Sequence, residues 1–322
     1  MPSSIFSSKS GHPVEAGLRH AVAFLALTAL LLVAVEAGAR LVVHRISRIE
    51  GRVAAEYKAA LRVHSSGRPP RQILLVGNSL LEESVPASLL LPDWLQGWQA
   101  TRFPIEQTST LDWTYGLPRL SQDGCRPDVY GLVMSPDYLS ITFSRGEYAA
   151  FYLLQTLDLL DISSQLQLHP TRMASVGLGI YSKFFALRTD IRKVLLGRAL
   201  PGMSALATLL AGHGKEQQLD QEEYYRQALP RLQALRTGAA RTGSGLVLIV
   251  HPPPANVTVD GTAAILRAAR DAGIEAVAPA EGTRFSESDF RDSHHLNEAG
   301  ARKFMQSINP GLQAALDRTP AR

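Results

Sequence analysis

The 322 residues are 45% hydrophobic, enough for one large domain or a domain with an insert. A single cysteine, Cys125, excludes an internal disulfide and a cysteine-rich metal centre. The net charge of +4 is local, much of it lying between Arg40 and Arg71 beside an apolar segment, which fits a membrane surface better than nucleic acid. No basic stretch is interleaved with aromatics for base stacking, so no nucleic-acid partner is expected.

Residues 1–20 are polar and Ser-rich and read as a disordered cytoplasmic tail. Residues 21–39 are apolar apart from Thr28, Glu36 and Gly38, and a transmembrane helix is expected over 21–43, anchoring the chain in a lipid bilayer. A cleaved signal peptide is the competing reading, because Ala37-Gly38-Ala39 fits a small-x-small cleavage site. The helical pattern continuing past Arg40 favours an uncleaved anchor. Only Lys9 and Arg19 precede the span, whereas Arg40, Arg45, Arg48, Arg52 and Lys58 follow it. That count alone points the following domain into the cytoplasm, although long domains translocate despite flanking charge.

Residues 44–70 read as a juxtamembrane helical stalk and linker, closed by Ser65-Ser66-Gly67-Arg68-Pro69-Pro70. The body, 71–322, then alternates strands and helices. Strands are predicted at 72–76, 102–106, 129–134, 246–250 and 275–278. Helices are predicted at 114–121, 222–242, 261–272 and 299–308. Apolar strands separated by helices imply a three-layer α/β/α domain on a parallel sheet. Residues 144–220 carry no strand signal and are expected to form a helical insert, with helices near 148–168 and 173–200. The insert reads as a cap on the sheet; a lid or a docking surface for a membrane partner is the alternative.

Two stretches can carry chemistry. In Ile73-Leu74-Leu75-Val76-Gly77-Asn78-Ser79-Leu80 a buried strand ends at Gly77 and a helix begins at Ser79. Such a turn lifts the serine hydroxyl to the carboxyl end of the sheet and aims helix N–H groups at whatever approaches it. In Asp292-Ser293-His294-His295-Leu296-Asn297 a carboxylate and an imidazole are three residues apart in a polar loop before a helix. The carboxylate can fix the tautomer of His295, which can then take the proton of Ser79. Each stretch is weak by itself; at the first and last strand ends of one domain they reinforce each other.

Gly77-Asn78-Ser79-Leu80 resembles the Gly-Asp-Ser-Leu block of the SGNH (GDSL-type) hydrolases, with Asn for Asp. Asp292-Ser293-His294-His295-Leu296-Asn297 is similar to that family's terminal Asp-x-x-His block. The resemblance runs from Gln72 to the C-terminus outside the insert. It implies a flavodoxin-like sheet, Ser79 as nucleophile, His295 as base and Asp292 as its partner, with no cofactor and no metal. It also implies three oxyanion donors: the serine N–H, a glycine after the second strand and an asparagine after the third. Here Gln107 to Trp113 contains no glycine, and Pro136 falls where the asparagine is expected. Asn78, Thr110, Asp112, the Ser135 hydroxyl and His251 are therefore the candidates for oxyanion or substrate contacts; Asp112 serves equally well as a helix cap.

Similar departures are met among membrane-anchored relatives that act on envelope polymers. The resemblance thus implies a serine esterase or acyltransferase acting outside the cytoplasm on an ester of a glycan or lipid, beside a membrane acyltransferase in some settings. The competing expectation is a degenerate glycan-binding or scaffold component. Asp137 is a second candidate for orienting the base, and Trp113 and His294 are candidate substrate neighbours. No His-Glu-x-x-His, P-loop or dinucleotide fingerprint is present.

Overall fold

The computed structural model describes residues 13–144, 146–199, 219–253 and 260–319. Five parallel strands form one sheet: β1 (Arg71–Gly77), β2 (Trp98–Pro104), β3 (Val129–Met134), β4 (Gly245–Val250) and β5 (Glu275–Val277), in the order β2-β1-β3-β4-β5. All four pairings are parallel. Period-two alternation distributes the strand side chains over two cores. Leu74, Val76, Leu132 and Leu248 face one, and Ile73, Leu75, Val133 and Ile249 face the other.

The first core is covered by α4 (Thr110–Gln122), α10 (Gln221–Ala240) and α11 (Thr262–Asp271); the second by α3 (Ser79–Ser84) and α12 (Glu298–Arg318). This is the three-layer α/β/α arrangement expected. Its strand order reverses direction between β1 and β3, the point where open sheets of this kind receive ligands.

Several boundaries moved. The second strand begins at Trp98 rather than 102, because its polar residues Gln99 and Thr101 lie on the partly exposed edge of the sheet. Helix α4 starts at Thr110 rather than 114, fixed by a capping box in which Ser109 and Asp112 satisfy each other. Helix α12 runs through Pro310 to Arg318, held by Leu312, Ala315 and Leu316 in the second core. Between β3 and α10 the chain forms α5 (Pro136–Ser140), α6 (Glu147–Leu153), α7 (Asp158–Leu166), α8 (Pro170–Tyr181) and α9 (Lys183–Ala199). The insert is therefore a set of short helices rather than two long ones. It breaks at extended Leu154, at left-handed Gln167 before Pro170, and at extended Ser182. Residues 200–218 of the expected insert lie outside the described residues.

At the N-terminal end, α1 (Pro13–Ile46) contains an apolar stretch, Gly17–Val43, of mean hydropathy 2.3, long enough to cross a membrane. Residues 13–20, expected in the tail, belong to this helix; residues 1–12 lie outside the described residues. Leu18 to Val33 stand exposed, whereas Ala39 and Val43 are buried against the body. The expected stalk is likewise packed rather than free. Ser47 caps α2 (Arg48–Ala60), whose Val53 and Ala60 enter the first core. Two polar ties, one partly exposed and one buried, fasten this region to the insert. Glu36 accepts Ser182 Oγ at 2.8 Å and the N–H groups of Lys183 and Phe184 at 2.9 and 3.1 Å, at the start of α9. Glu50, fully buried, pairs with Lys183 Nζ at 2.6 Å and accepts Tyr152 Oη at 2.7 Å.

Candidate active site

The turn after β1 is built by three residues with different tasks. Gly77 passes so close to β3 that an added Cβ would lie 2.5 Å from the Val133 carbonyl oxygen, so no side chain fits. Asn78 caps α3: its Oδ1 accepts the Leu80 N–H at 3.0 Å, and its Nδ2 donates to the Thr108 carbonyl at 3.3 Å. Ser79 then stands at the first helical position, facing out over the sheet end.

The partner loop is equally constrained. A bridge between Phe290 and Leu296, and a bond from Arg291 N–H to His295 O at 2.7 Å, close residues 290–296 into a tight loop. Asn297 caps α12 and also donates to the Ser288 carbonyl at 2.6 Å. Arg291 donates to Glu83 Oε1 at 2.7 Å, clamping the loop to α3. Nothing in the polar pattern of α3 singled out Glu83.

Together these place His295 Nε2 2.9 Å from Ser79 Oγ and His295 Nδ1 3.0 Å from both carboxylate oxygens of Asp292. Asp292 Oδ1 also accepts the N–H groups of His294 and His295, each at 2.9 Å. Partial burial works against its charge, but those two N–H groups and the imidazole outweigh it and bring its carboxyl down to about 2. The ionised carboxylate assigns the proton to Nδ1, leaving the Nε2 lone pair toward the serine hydroxyl.

Beside this constellation lies a cavity of about 310 Å³ whose wall includes Leu80, Ser135, Tyr138, Ile141, His251 and His295. The register explains its make-up. Gly77 pairs with Val133 and Met134 with Val250, so Ser79, Ser135 and His251 follow the ends of three adjacent strands. Ser135 precedes Pro136 at the start of α5 and makes no side-chain cap bond. His251 is buried and its Nδ1 donates to the Pro252 carbonyl at 2.8 Å, which leaves Nε2 an acceptor with no partner among the described residues. Burial pulls the His251 imidazole down to about 3, so it is neutral.

Five other expectations change. Asn78 is fully buried with both ends of its amide engaged by backbone, which makes it a brace between the turn and the loop after β2, not a substrate contact. Asp112 is buried in the capping box and accepts Ser144 Oγ at 2.6 Å, so its carboxylate serves the fold. Thr110 lines a second cavity rather than the one beside His295. Asp137 lines the cavity beside His295 and accepts Tyr224 Oη at 2.5 Å, whereas the Nδ1 of His295 is held by Asp292, so Asp137 does not orient the base. Trp113 is buried in the first core, its Nε1 donating to Thr108 Oγ1 at 3.0 Å, and His294 lines the cavity. One feature was not anticipated. Gln107, in the loop after β2 where the resemblance implies a glycine, adopts φ 59°, a left-handed conformation that glycine takes most readily.

No family model matches the sequence, and no curated protein matches it. Among solved structures it is similar to a candidate acylhydrolase from Bacteroides fragilis, 11% identical, with a TM-score of 0.40, covering 81% of this chain and 93% of that one. It is also similar to TesA (12%, TM-score 0.35, covering 76% and 99%). A GDSL-like lipase from Bacteroides thetaiotaomicron is 10% identical, with a TM-score of 0.38 and coverage of 82% and 97%. The α/β architecture itself stands on the sheet order and register.

Proposed function

We propose that this protein is a membrane-anchored serine esterase or O-acyltransferase, acting on an ester of a cell-envelope glycan or lipid outside the cytoplasm. The observation that carries this reading is the continuous line of contacts from Asp292 through His295 to Ser79. In the forward step His295 Nε2 takes the hydroxyl proton as Ser79 Oγ bonds to the ester carbonyl carbon. Collapse of the tetrahedral adduct breaks the ester C–O bond, and the imidazolium returns that proton to the departing alkoxide, leaving an acyl-serine. Water, or a sugar hydroxyl, then attacks the acyl carbon with His295 again taking the proton; collapse of this second adduct breaks the acyl C–Oγ bond, and the imidazolium returns the proton to Ser79 Oγ. Asp292 holds the tautomer and offsets the imidazolium charge throughout.

The developing oxyanion is served by the Ser79 N–H, with the Ser135 hydroxyl and the backbone of the loop containing Gln107 as its neighbours at the sheet edge. The Leu80 N–H is already taken by Asn78. One oxyanion donor is worth about 3 kcal/mol of barrier, so this site is expected to turn over slowly. Residues 21–43 supply the anchor, and a reporter fused to the C-terminus reads out the side on which the domain lies.

The departure at Pro136 favours a second reading, a degenerate glycan-binding or scaffold component of an envelope-modification complex. A fluorophosphonate probe separates the two. The full chain is expected to be labelled and Ser79→Ala to remain unlabelled. Equal labelling of the two overturns the esterase reading, and a Ser79→Ala strain of wild-type phenotype where deletion is defective supports the scaffold.

A further inference from the structure

Arg231 projects from α10 into a second cavity, of about 320 Å³, whose wall also includes Thr110, Thr114, Thr142, Gln165 and Gln227. Its Nε donates to Thr142 Oγ1 at 2.7 Å and its Nη1 to the Gln227 carbonyl oxygen. Among the described residues no carboxylate pairs with it. Other partly buried arginines differ: Arg52 meets Glu56 and Glu82, Arg102 meets Glu56, and Arg119 meets Asp123. Burial lowers the proton affinity of the Arg231 guanidinium, and no carboxylate among the described residues offsets it. A half-buried cation without a counter-charge costs stability.

The geometry of the wall indicates what would neutralise it. The residues around Arg231 are neutral, and Glu223, two turns earlier on α10, is already engaged by Gln227 and Arg226. With Nε and one Nη1 hydrogen used, Arg231 retains the Nη2 edge of its fork. Thr142 Oγ1 accepts from Nε, so its own hydrogen is available to donate. These are donors for a planar or tetrahedral oxyanion. Gln227 lines both this cavity and the one beside His295, so the two adjoin along the carboxyl edge of the sheet.

We propose that Arg231 and Thr142 form a subsite for an anionic group, a carboxylate or a phosphate, on the polymer whose ester Ser79 attacks. This rests on the esterase reading for its catalytic meaning, and it deepens that reading by making the substrate acidic. Binding, however, can be measured without turnover.

The test uses the full chain in detergent micelles carrying Ser79→Ala, titrated calorimetrically with three probes of equal length: an oligouronate, an oligo(glycerol phosphate) and a neutral oligosaccharide. At least one anionic probe is expected to bind more tightly than the neutral one, and which one does so identifies carboxylate or phosphate. Adding Arg231→Gln is expected to weaken that probe by roughly ten- to a hundredfold and to leave the neutral one unchanged. Arg231→Lys, which keeps the charge but loses the fork, is expected to fall between. The melting temperature of Arg231→Gln is expected to stay level or rise, as follows from removing an uncompensated charge. Equal affinity for neutral and anionic probes, or unchanged anionic affinity in Arg231→Gln with the fold intact, overturns the subsite. If Arg231→Gln does not fold, the same criterion applies to Arg231→Lys. Loss of fluorophosphonate labelling at Ser79 with Arg231-dependent binding retained removes the esterase reading alone.

Discussion

Asp292 and His251 are two ionisable groups at one sheet edge pushed in ways that keep each in a single state. Asp292 is held ionised down to about pH 2 by the two N–H groups and the imidazole, against the pull of burial. Its contribution to stability is present above the ordinary carboxylate range and is lost as pH falls toward 2. Asp292→Asn preserves size but cannot hold the imidazole in the same tautomer. The expected loss in kcat/KM on a chromogenic ester is on the order of 10³- to 10⁴-fold, with the thermal midpoint at neutral pH modestly lowered as the contribution of the ionised carboxylate is lost. His251 carries the opposite charge logic with the same sign of linkage. Its folded value of about 3 lies below the ordinary 6.5, so the unfolded chain takes up the proton first and stability falls as pH drops from 6.5 toward 3. Between pH 7 and pH 5 that loss comes to about 2 kcal/mol. His251→Gln is expected to flatten the acid limb of a thermal-midpoint profile in detergent, and an unchanged limb would place the acid sensitivity elsewhere. At this scale the sequence exposed Ser79, Asp292 and His295, because each stands where an apolar run meets a polar turn. It hid the brace formed by Asn78, since a buried amide and a substrate-facing one are the same letter in the same motif. It also hid Arg231, whose distinguishing property is the absence of a carboxylate partner among the described residues.

Elements were legible in proportion to how far local pattern decides them. Strand β3 was read residue for residue, since both of its faces are buried and the apolar run is uninterrupted. The edge strand β2 was read four residues late, because half of its side chains meet solvent and read as loop. The insert helices were fused in the reading because the breaks at Leu154 and Ser182 carry neither glycine nor proline. The start of α4 was readable in principle, as Ser109 and Asp112 have capping-box spacing. The turn joining β1 to α3 makes an element-scale prediction. Gly77→Ala would force a methyl group to within 2.5 Å of a backbone oxygen of the neighbouring strand. The two strands must part, at a cost of about 1–3 kcal/mol or more. A drop in the thermal midpoint together with weakened fluorophosphonate labelling is expected; a wild-type midpoint would mean that β1 and β3 are looser than this register implies.

For the molecule as a whole, α1, α2 and the insert are joined through two carboxylates, Glu50 fully buried and Glu36 partly so. Glu50 accepts from Tyr152 and pairs with Lys183, and Glu36 receives the first N–H groups of the same helix that carries Lys183. Glu50→Ala strands the ammonium of Lys183 in a buried place. A destabilisation of about 3–5 kcal/mol is expected, seen as a lowered midpoint and faster proteolysis of the insert. The double replacement Glu50→Leu with Lys183→Met is expected to recover most of it. This part of the architecture is not legible in the sequence, because Glu36 and Lys183 lie 147 residues apart with β1, β2 and β3 between them.

The grip of Glu36 on α9 has a mechanical corollary. A catalytic body hung from a flexible leash sweeps a broad volume and can chase targets at many depths. On the proposed reading of an anchored esterase, a body bolted to its own membrane post keeps one altitude and one heading, so polymer would have to be threaded past it at that level. If that reading holds, freeing the joint with Glu36→Ala trades this aim for range, and modification is expected to spread along a target that the native protein marks within a narrow band.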